Sequence, residues 1–305
     1  MSAPARTAVA TMREARLAAA GRFDVVTREA PEPGPRETLV RLEGCGVCAS
    51  SLPVWEGRPW FAYPLEPGAP GHEGWGVEVE SGRRVAVLSL HAFAEYVSVP
   101  VAEVVALPPE LDGVPFPGEA AACALNVFSR SGVGRGDTVG IVGAGWLGLL
   151  LVQLATAAGA HVLAFSRRES SRALARDFGA ETPAEPEPES CDVAVEAAGV
   201  QETLDLASGL CRVGGRLVVA GFHQDGLRTI DLQSWNWRGL DVVNAHERDP
   251  RAYLNGLRAA VDAARSGRID VAPLVTHEFP LEHVDDAFEL LRTRPEGFVK
   301  AVIRL

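Results

Sequence analysis

One stretch constrains the fold of this chain more than any other: Asp137 to Ala158, DTVGIVGAGWLGLLLVQLATAA. An apolar run of strand character, TVGIV, passes directly into Gly143-Ala-Gly145-Trp146-Leu147-Gly148, which opens a long helical pattern. A glycine-rich turn alone says little, but between a strand and a helix its spacing has a mechanism. The first glycine permits the tight turn, the second lets the backbone approach a pyrophosphate, and the third lets helix and strand pack closely. The phosphates then lie at the positive end of the helix. Gly143, Gly145, Trp146, Leu147 and Gly148 are therefore the expected contacts of a dinucleotide. Strand-like and helical segments go on alternating beyond the turn: HVLAF, SSRALARDFG, CDVAVEAAG, VQETLDLASGLC, GRLVVAGF, LDVVNAH and RAYLNGLRAAVDAARSG. Such alternation implies right-handed β-α-β units and a parallel sheet.

The end of the second strand bears on which dinucleotide is bound. A carboxylate there would hold the ribose 2′-hydroxyl, whereas His161-Val-Leu-Ala-Phe ends in Ser166, Arg167 and Arg168. A hydroxyl and two guanidiniums can hold a 2′-phosphate through charge-assisted hydrogen bonds, so NADP(H) is expected over NAD. The plainer reading makes both arginines solvated charges at a helix start.

The first third of the chain is different, rich in proline, glycine and short β-like runs such as ETLVRLEGCGVC, GWGVEVE and RRVAVLSL. It reads as an irregular, mostly antiparallel β region. Five cysteines, Cys45, Cys48, Cys123, Cys191 and Cys211, form an odd set that suits reduced thiols or metal ligation better than a disulfide framework. Cys48, His72 and Cys123 are the candidate ligands for a zinc ion, which takes thiolate and imidazole donors and in catalytic sites keeps one position open. Read singly, a cysteine is more often a small buried hydrophobe, and a histidine more often a hydrogen-bonded surface or core residue, than a metal ligand. A formal net charge of -11 disfavours nucleic acid and anionic membranes as partners. No apolar run approaches the roughly 20 residues of a membrane span, and the opening MSAPARTAVATMREARLAAAG lacks a continuous signal-peptide core, so a cytoplasmic protein acting on a small molecule is expected.

In order, Gly44-Cys-Gly-Val-Cys48-Ala-Ser50, Gly71-His72-Glu73-x-x-Gly76, Ala120-Ala-Ala-Cys123-Ala and the GxGxxG turn resemble the landmarks of the zinc-dependent alcohol dehydrogenases of the medium-chain dehydrogenase/reductase superfamily. The likeness runs on to Ser266-Gly-Arg-Ile-Asp-Val-Ala-Pro and Phe298-Val-Lys300-Ala-Val-Ile. It implies an α/β chain of two domains. A GroES-like irregular β-barrel catalytic domain takes residues 1–127 and 271–305, a Rossmann doubly wound parallel sheet takes 128–270, and zinc and nicotinamide share the cleft. It further implies Cys48, His72 and Cys123 as ligands of one catalytic Zn2+, and Glu73 as a supporting carboxylate or exchange ligand. Ser50 becomes the proton-relaying hydroxyl, Lys300 a cation near the pyrophosphate, and a homodimer or homotetramer the assembly. The implied activity is hydride transfer between NADP(H) and an alcohol or carbonyl substrate. The alternatives are a zinc-free NADPH-dependent enone or quinone reductase of the same superfamily, and a noncatalytic NADPH-binding protein.

This sequence departs from the family pattern at several places. Ser51 stands where an aspartate usually supports the metal site, Pro53 where many members have a proton-passing histidine, and Val127 where a threonine is common. The lobe that carries four cysteines and a structural zinc in many relatives is missing, because Arg84-Val-Ala-Val-Leu-Ser-Leu runs straight into His91-Ala-Phe-Ala-Glu-Tyr96. Trp55, Trp60, Phe61 and Tyr63 are either pocket wall or core. Trp235 and Trp237 are interface or core residues, and His223 is a coenzyme contact or a loop histidine.

Overall fold

The computed structural model describes residues 11–305; the first ten residues of the expected β domain lie outside the described residues. By internal contacts the chain forms two compact units. One contains the chain up to Leu107 with Glu278–Arg292 and Ala301–Leu305, the other Pro108–His277 and Thr293–Lys300.

In the first unit, β1 (Met12–Ala19) and β2 (Arg22–Arg28) form an antiparallel hairpin. β3 (Glu37–Gly46) alternates: Val40 and Leu42 are buried while Glu37 and Arg41 are exposed, as a strand with one face on a core requires. The short helix α1 (Leu52–Trp55) follows, then β4 (Glu73–Glu78), β5 (Arg84–Val87), β6 (Tyr96–Pro100) and β7 (Val104–Ala106). β3 pairs antiparallel with both β4 and β6, and β4 with β5. The fully buried Trp75 of β4 lies against Gly44 of β3, where an added Cβ would come within 2.4 Å of the indole ring. Gly44 thus makes room for one large side chain, while Gly76 lets the two strands approach, since an added Cβ there would lie 2.1 Å from the Arg41 carbonyl oxygen. β5 and β6 are joined by the short connection 88–95.

The second unit begins with α2 (Gly118–Ser131) and continues with β8 (Thr138–Val142), α3 (Trp146–Ala158), β9 (His161–Phe165), α4 (Glu169–Asp177), β10 (Cys191–Glu196), α5 (Gln201–Leu210), β11 (Cys211–Val219), α6 (Leu232–Arg238), β12 (Asp241–Asn244) and α7 (Pro250–Arg265). The five strands form a parallel sheet in the order β12-β11-β10-β8-β9. From β8 the chain moves outward to β9 and then returns to the other side of β8 as β10. The order therefore reverses between β8 and β10, and in open α/β sheets ligands bind beyond the carboxyl ends of the strands at such a reversal. α3 buries every residue from Gly148 to Ala155, which explains why this stretch is apolar apart from Gln153, whose amide is paired with the Asp270 backbone.

Three elements close the chain: β13 (Val275–Pro280), α8 (Val284–Thr293) and β14 (Lys300–Arg304). β14 pairs with β3 to complete a sheet ordered β13-β14-β3-β4-β5-β7, with β6 also on β3. Phe288 of α8 is fully buried among Phe23, Trp55 and Phe93, with ring centroids 5.7, 5.6 and 6.1 Å away. The fold is thus α/β, a GroES-like β domain with a doubly wound parallel Rossmann sheet. Among the described residues no helix is long and apolar enough to cross a membrane.

Candidate functional site

Cys48 lies just past the end of β3, and His72 directly precedes β4, whose first residue is Glu73. Gly46 and Glu73 are register partners in the β3/β4 ladder, so the pairing brings the two loops to one end of the sheet. There, ligand atoms of Cys48, His72 and Glu73 all lie within 4.8 Å of one another. Glu73 is fully buried, while Cys48 and His72 are partly exposed. The imidazole Nδ1 of His72 is 2.9 Å from the Pro70 carbonyl oxygen. A carbonyl only accepts, so Nδ1 carries the hydrogen and the lone pair of Nε2 is presented to the cluster. Orientation of a ligating histidine through its other nitrogen is a recurring device of metal sites, and here the Pro70 carbonyl performs it, with Ser51 in place of the usual aspartate. The exposed Ser50 hydroxyl donates to Cys48 Sγ at 3.2 Å and lies 3.5 Å from His72 Nε2. A thiolate, an imidazole and a carboxylate at such spacing suit a zinc ion.

Cys123 belongs to α2 in the second unit, with Sγ 3.5 Å from Glu119 Oε1 one turn earlier. α2 crosses α7 closely at Gly256, where an added Cβ would come within 2.7 Å of the Asn126 amide. One turn before that crossing, burial pushes the Tyr253 phenol up to about 12, with Cys123 and Glu119 adding to the shift. Val127 is buried on the same helix.

The dinucleotide turn is a local consequence of its glycines. Gly143 adopts φ +105°, a conformation that side chains rarely accept. A Cβ on Gly148 would lie 1.9 Å from the Gly143 carbonyl oxygen, so the first turn of α3 packs on the loop only with glycine there. At Gly145, the residue capping α3, an added Cβ meets nothing within 4 Å. Gly145 therefore leaves open a space beside the helix N-terminus, where backbone N–H groups and the helix dipole favour an anion. Trp146 and Leu147 are the first residues of α3. Lys300, only 4% exposed, holds its ammonium 5.2 Å from the centre of the Trp146 ring.

Beyond β9, Ser166 is half-buried and Arg167 exposed. Arg168 turns back into the protein. Its Nη1 donates to the Phe298 carbonyl and lies 3.5 Å from the Pro295 carbonyl, and burial lowers the guanidinium below its ordinary range.

One group was missed in the sequence. Glu196, the last residue of β10 and fully buried, accepts from the backbone N–H groups of Ala198 (2.7 Å) and Gly199 (2.6 Å) and from the Thr203 hydroxyl (2.7 Å). Its other oxygen lies 2.9 Å from His223 Nε2, and Arg228 Nε donates to His223 Nδ1 at 2.8 Å. The guanidinium can only donate, so Nδ1 accepts and Nε2–H donates to Glu196. The network holds the loop after β10 to the loop after β11, at the strand-order reversal. An acidic residue ending an apolar strand and followed by Ala-Ala-Gly was the available signal. A Glu196→Ala protein, which leaves these donors buried without an acceptor, is expected to lose about 3–5 kcal/mol. Thermal unfolding should show the midpoint falling by about 6–20 °C.

The aromatic candidates separate by environment. Trp55 is core, 8% exposed and donating to Asp285 Oδ1 at 2.8 Å, and Tyr63 donates to the Val54 carbonyl. Trp60 (66% exposed) and Phe61 face solvent. Trp235 packs on the core formed by Leu204, Leu210 and Leu217, whereas Trp237 is 90% exposed.

A family model for zinc-binding dehydrogenases matches residues 147–260. Sorbitol dehydrogenase from Gallus gallus is 28% identical, the match covering 93% of this chain and 94% of that protein. L-galactonate-5-dehydrogenase from Escherichia coli K12 is 25% identical over 90% and 94%. A provisionally assigned zinc-binding dehydrogenase from Sinorhizobium meliloti 1021, solved with NADP bound, superposes with a TM-score of 0.84 at 28% identity, over 97% of this chain and 99% of that one. Together with the ordered motifs and the fold, these matches support a protein similar to the zinc-dependent alcohol dehydrogenases of the medium-chain dehydrogenase/reductase superfamily, an oxidoreductase of the alcohol or polyol dehydrogenase type.

Proposed function

We propose that the protein transfers hydride between NADP(H) and a small alcohol or carbonyl compound at a site holding one zinc ion, with polyols as the first substrate class to test. The observation that carries this reading is the convergence of Cys48, His72 and Glu73 within 4.8 Å at one end of the β3/β4 ladder. Zinc bound there would act as a Lewis acid, favouring loss of the alcohol proton or polarising a carbonyl. The chain's own residues do the rest. The Pro70 carbonyl fixes the His72 tautomer, Cys48 supplies thiolate charge, and buried Glu73 is close enough to serve as a third donor. Ser50 Oγ, exposed and beside two of these donors, is suited to pass the substrate proton toward solvent. Cys123 stays in the proposed ligand set through the family resemblance, and zinc content of a Cys123→Ser protein tests it separately.

Coenzyme binding rests on the opening beside Gly145, on Trp146 and Leu147 at the start of α3, and on Lys300. The hydroxyl of Ser166 and the exposed guanidinium of Arg167 support the choice of NADP(H). The solved relative with NADP bound agrees with that choice. The Trp237 side chain of α6 and the Val242 side chain of edge strand β12, 90% and 42% exposed, support a homo-oligomer, to be tested by light scattering of the purified protein.

The functional test is a panel of polyols, simple alcohols and the matching ketones, followed through the absorbance of the reduced nicotinamide. Turnover with NADP(H) on at least one alcohol–carbonyl pair is expected. Turnover confined to enones or quinones would overturn the proposed chemistry.

A further inference from the structure

We propose that Arg168 is a positioning residue, which pins residues 293–300 against α4 and so seats Lys300 at the coenzyme turn, while Ser166 and Arg167 read the 2′-phosphate. This rests on the dinucleotide reading above and divides between neighbouring residues a task that the sequence assigns to both arginines.

The segment is fastened at several points. Arg168 Nη1 donates to the Phe298 carbonyl and approaches the Pro295 carbonyl at 3.5 Å. Between those residues, the Glu296 carboxylate accepts from the Ser170 backbone N–H, and Gly297 N donates to Ser170 Oγ at 2.9 Å. Further along, Thr276 Oγ1 accepts from Val299 N at 3.0 Å, and the His277 and Phe298 rings lie 5.6 Å apart. The segment then delivers Lys300, nearly buried, over the ring of Trp146 in the glycine turn. A short segment held this way transmits the Arg168 anchor to the Lys300 ammonium.

The Nη1 group of Arg168 is already committed to this segment. Swinging its guanidinium out to a phosphate would remove the donor from two backbone carbonyls and release the segment. Arg167 is under no such constraint: its side chain is exposed, and the loop beneath it is held by Arg172, whose Nη1 donates to the Ser166 carbonyl at 2.7 Å and to the Arg167 carbonyl at 3.3 Å. Next to it, Ser166 Oγ accepts from Arg168 N at 3.4 Å and keeps its own hydrogen to donate. NADPH differs from NADH only by the 2′-phosphate, whereas the pyrophosphate that Lys300 would face is common to both. The arginines should therefore differ in the kind of affinity they control.

Equilibrium binding of NADPH and NADH to the full chain, read by tryptophan quenching, tests this. Arg167→Ala should weaken NADPH by roughly tenfold to a hundredfold and leave NADH unchanged. Arg168→Ala should weaken both coenzymes by the same factor, about tenfold, leaving their ratio at the wild-type value. Lys300→Ala should do likewise, and the Arg168→Ala/Lys300→Ala double variant should be little weaker than the worse single one, because the two act in series. Should Arg168→Ala fail to fold, Ser170→Ala loosens the segment from the α4 side and should lower both affinities together. An Arg168→Ala protein that loses NADPH alone, or loses neither coenzyme, overturns the proposal, as does a Ser170→Ala protein with selective loss. Wild-type protein that binds neither coenzyme instead removes the dinucleotide reading, and the proposal with it.

Discussion

Cys48→Ser and His72→Ala proteins are expected to lose turnover by about a thousandfold or more, while their NADPH affinity stays at the wild-type level. The size follows from Lewis-acid stabilisation worth several kcal/mol at the reacting oxygen, each 1.36 kcal/mol being a factor of about ten in rate. The selectivity follows from the architecture. Both residues lie in the first unit, at the end of β3 and the start of β4, whereas the glycine turn, α3 and Lys300 belong to the second. Steady-state kinetics with coenzyme titration separates the two effects. Ser50→Ala should cost less, roughly a hundredfold, because water can replace a proton relay in part. Either ligand variant retaining full activity would contradict the assignment.

The second large effect concerns two glycines only three residues apart. Gly148→Ala puts a methyl group 1.9 Å from the Gly143 carbonyl oxygen, with backbone on one side and the sheet below. The turn must deform. A loss of about 3 kcal/mol is expected, with a fall of about 6–12 °C in the unfolding midpoint and with coenzyme binding impaired. Gly145→Ala should behave in the opposite way, since its methyl group meets no protein atom within 4 Å. That protein should melt like the wild type yet bind NADPH about tenfold to a hundredfold more weakly, because the methyl group enters the space that the pyrophosphate needs. Calorimetry and coenzyme titration on the two variants give the comparison. Equal melting of both would contradict the packing account of Gly148, and undiminished NADPH affinity in Gly145→Ala would contradict the placement of the pyrophosphate.

The parallel sheet could be read from sequence because its information is local: TVGIV, GAGWLG and the apolar helix after them form a strand, a turn and a helix through neighbouring residues alone. The joining of Cys48 to His72 was less local, yet the β3/β4 pairing that achieves it is itself encoded by the alternating burial of β3 and by Gly44, which admits Trp75. What escaped reading depends on distant partners. Nothing near Arg168 reveals that its guanidinium meets the carbonyl of Phe298, and nothing near Glu196 reveals His223 and Arg228. The cluster Trp55 to Tyr63 looked uniform, and only the arrival of α8 with Asp285 and Phe288 makes Trp55 a core residue while Trp60 stays in solvent.

Elemental analysis of the purified full-length chain tests the central claim most directly. The account predicts one zinc atom per chain in the wild type, and its loss in the Cys48→Ser and His72→Ala proteins. A chain that reduces its substrate at full rate with no bound metal would contradict it.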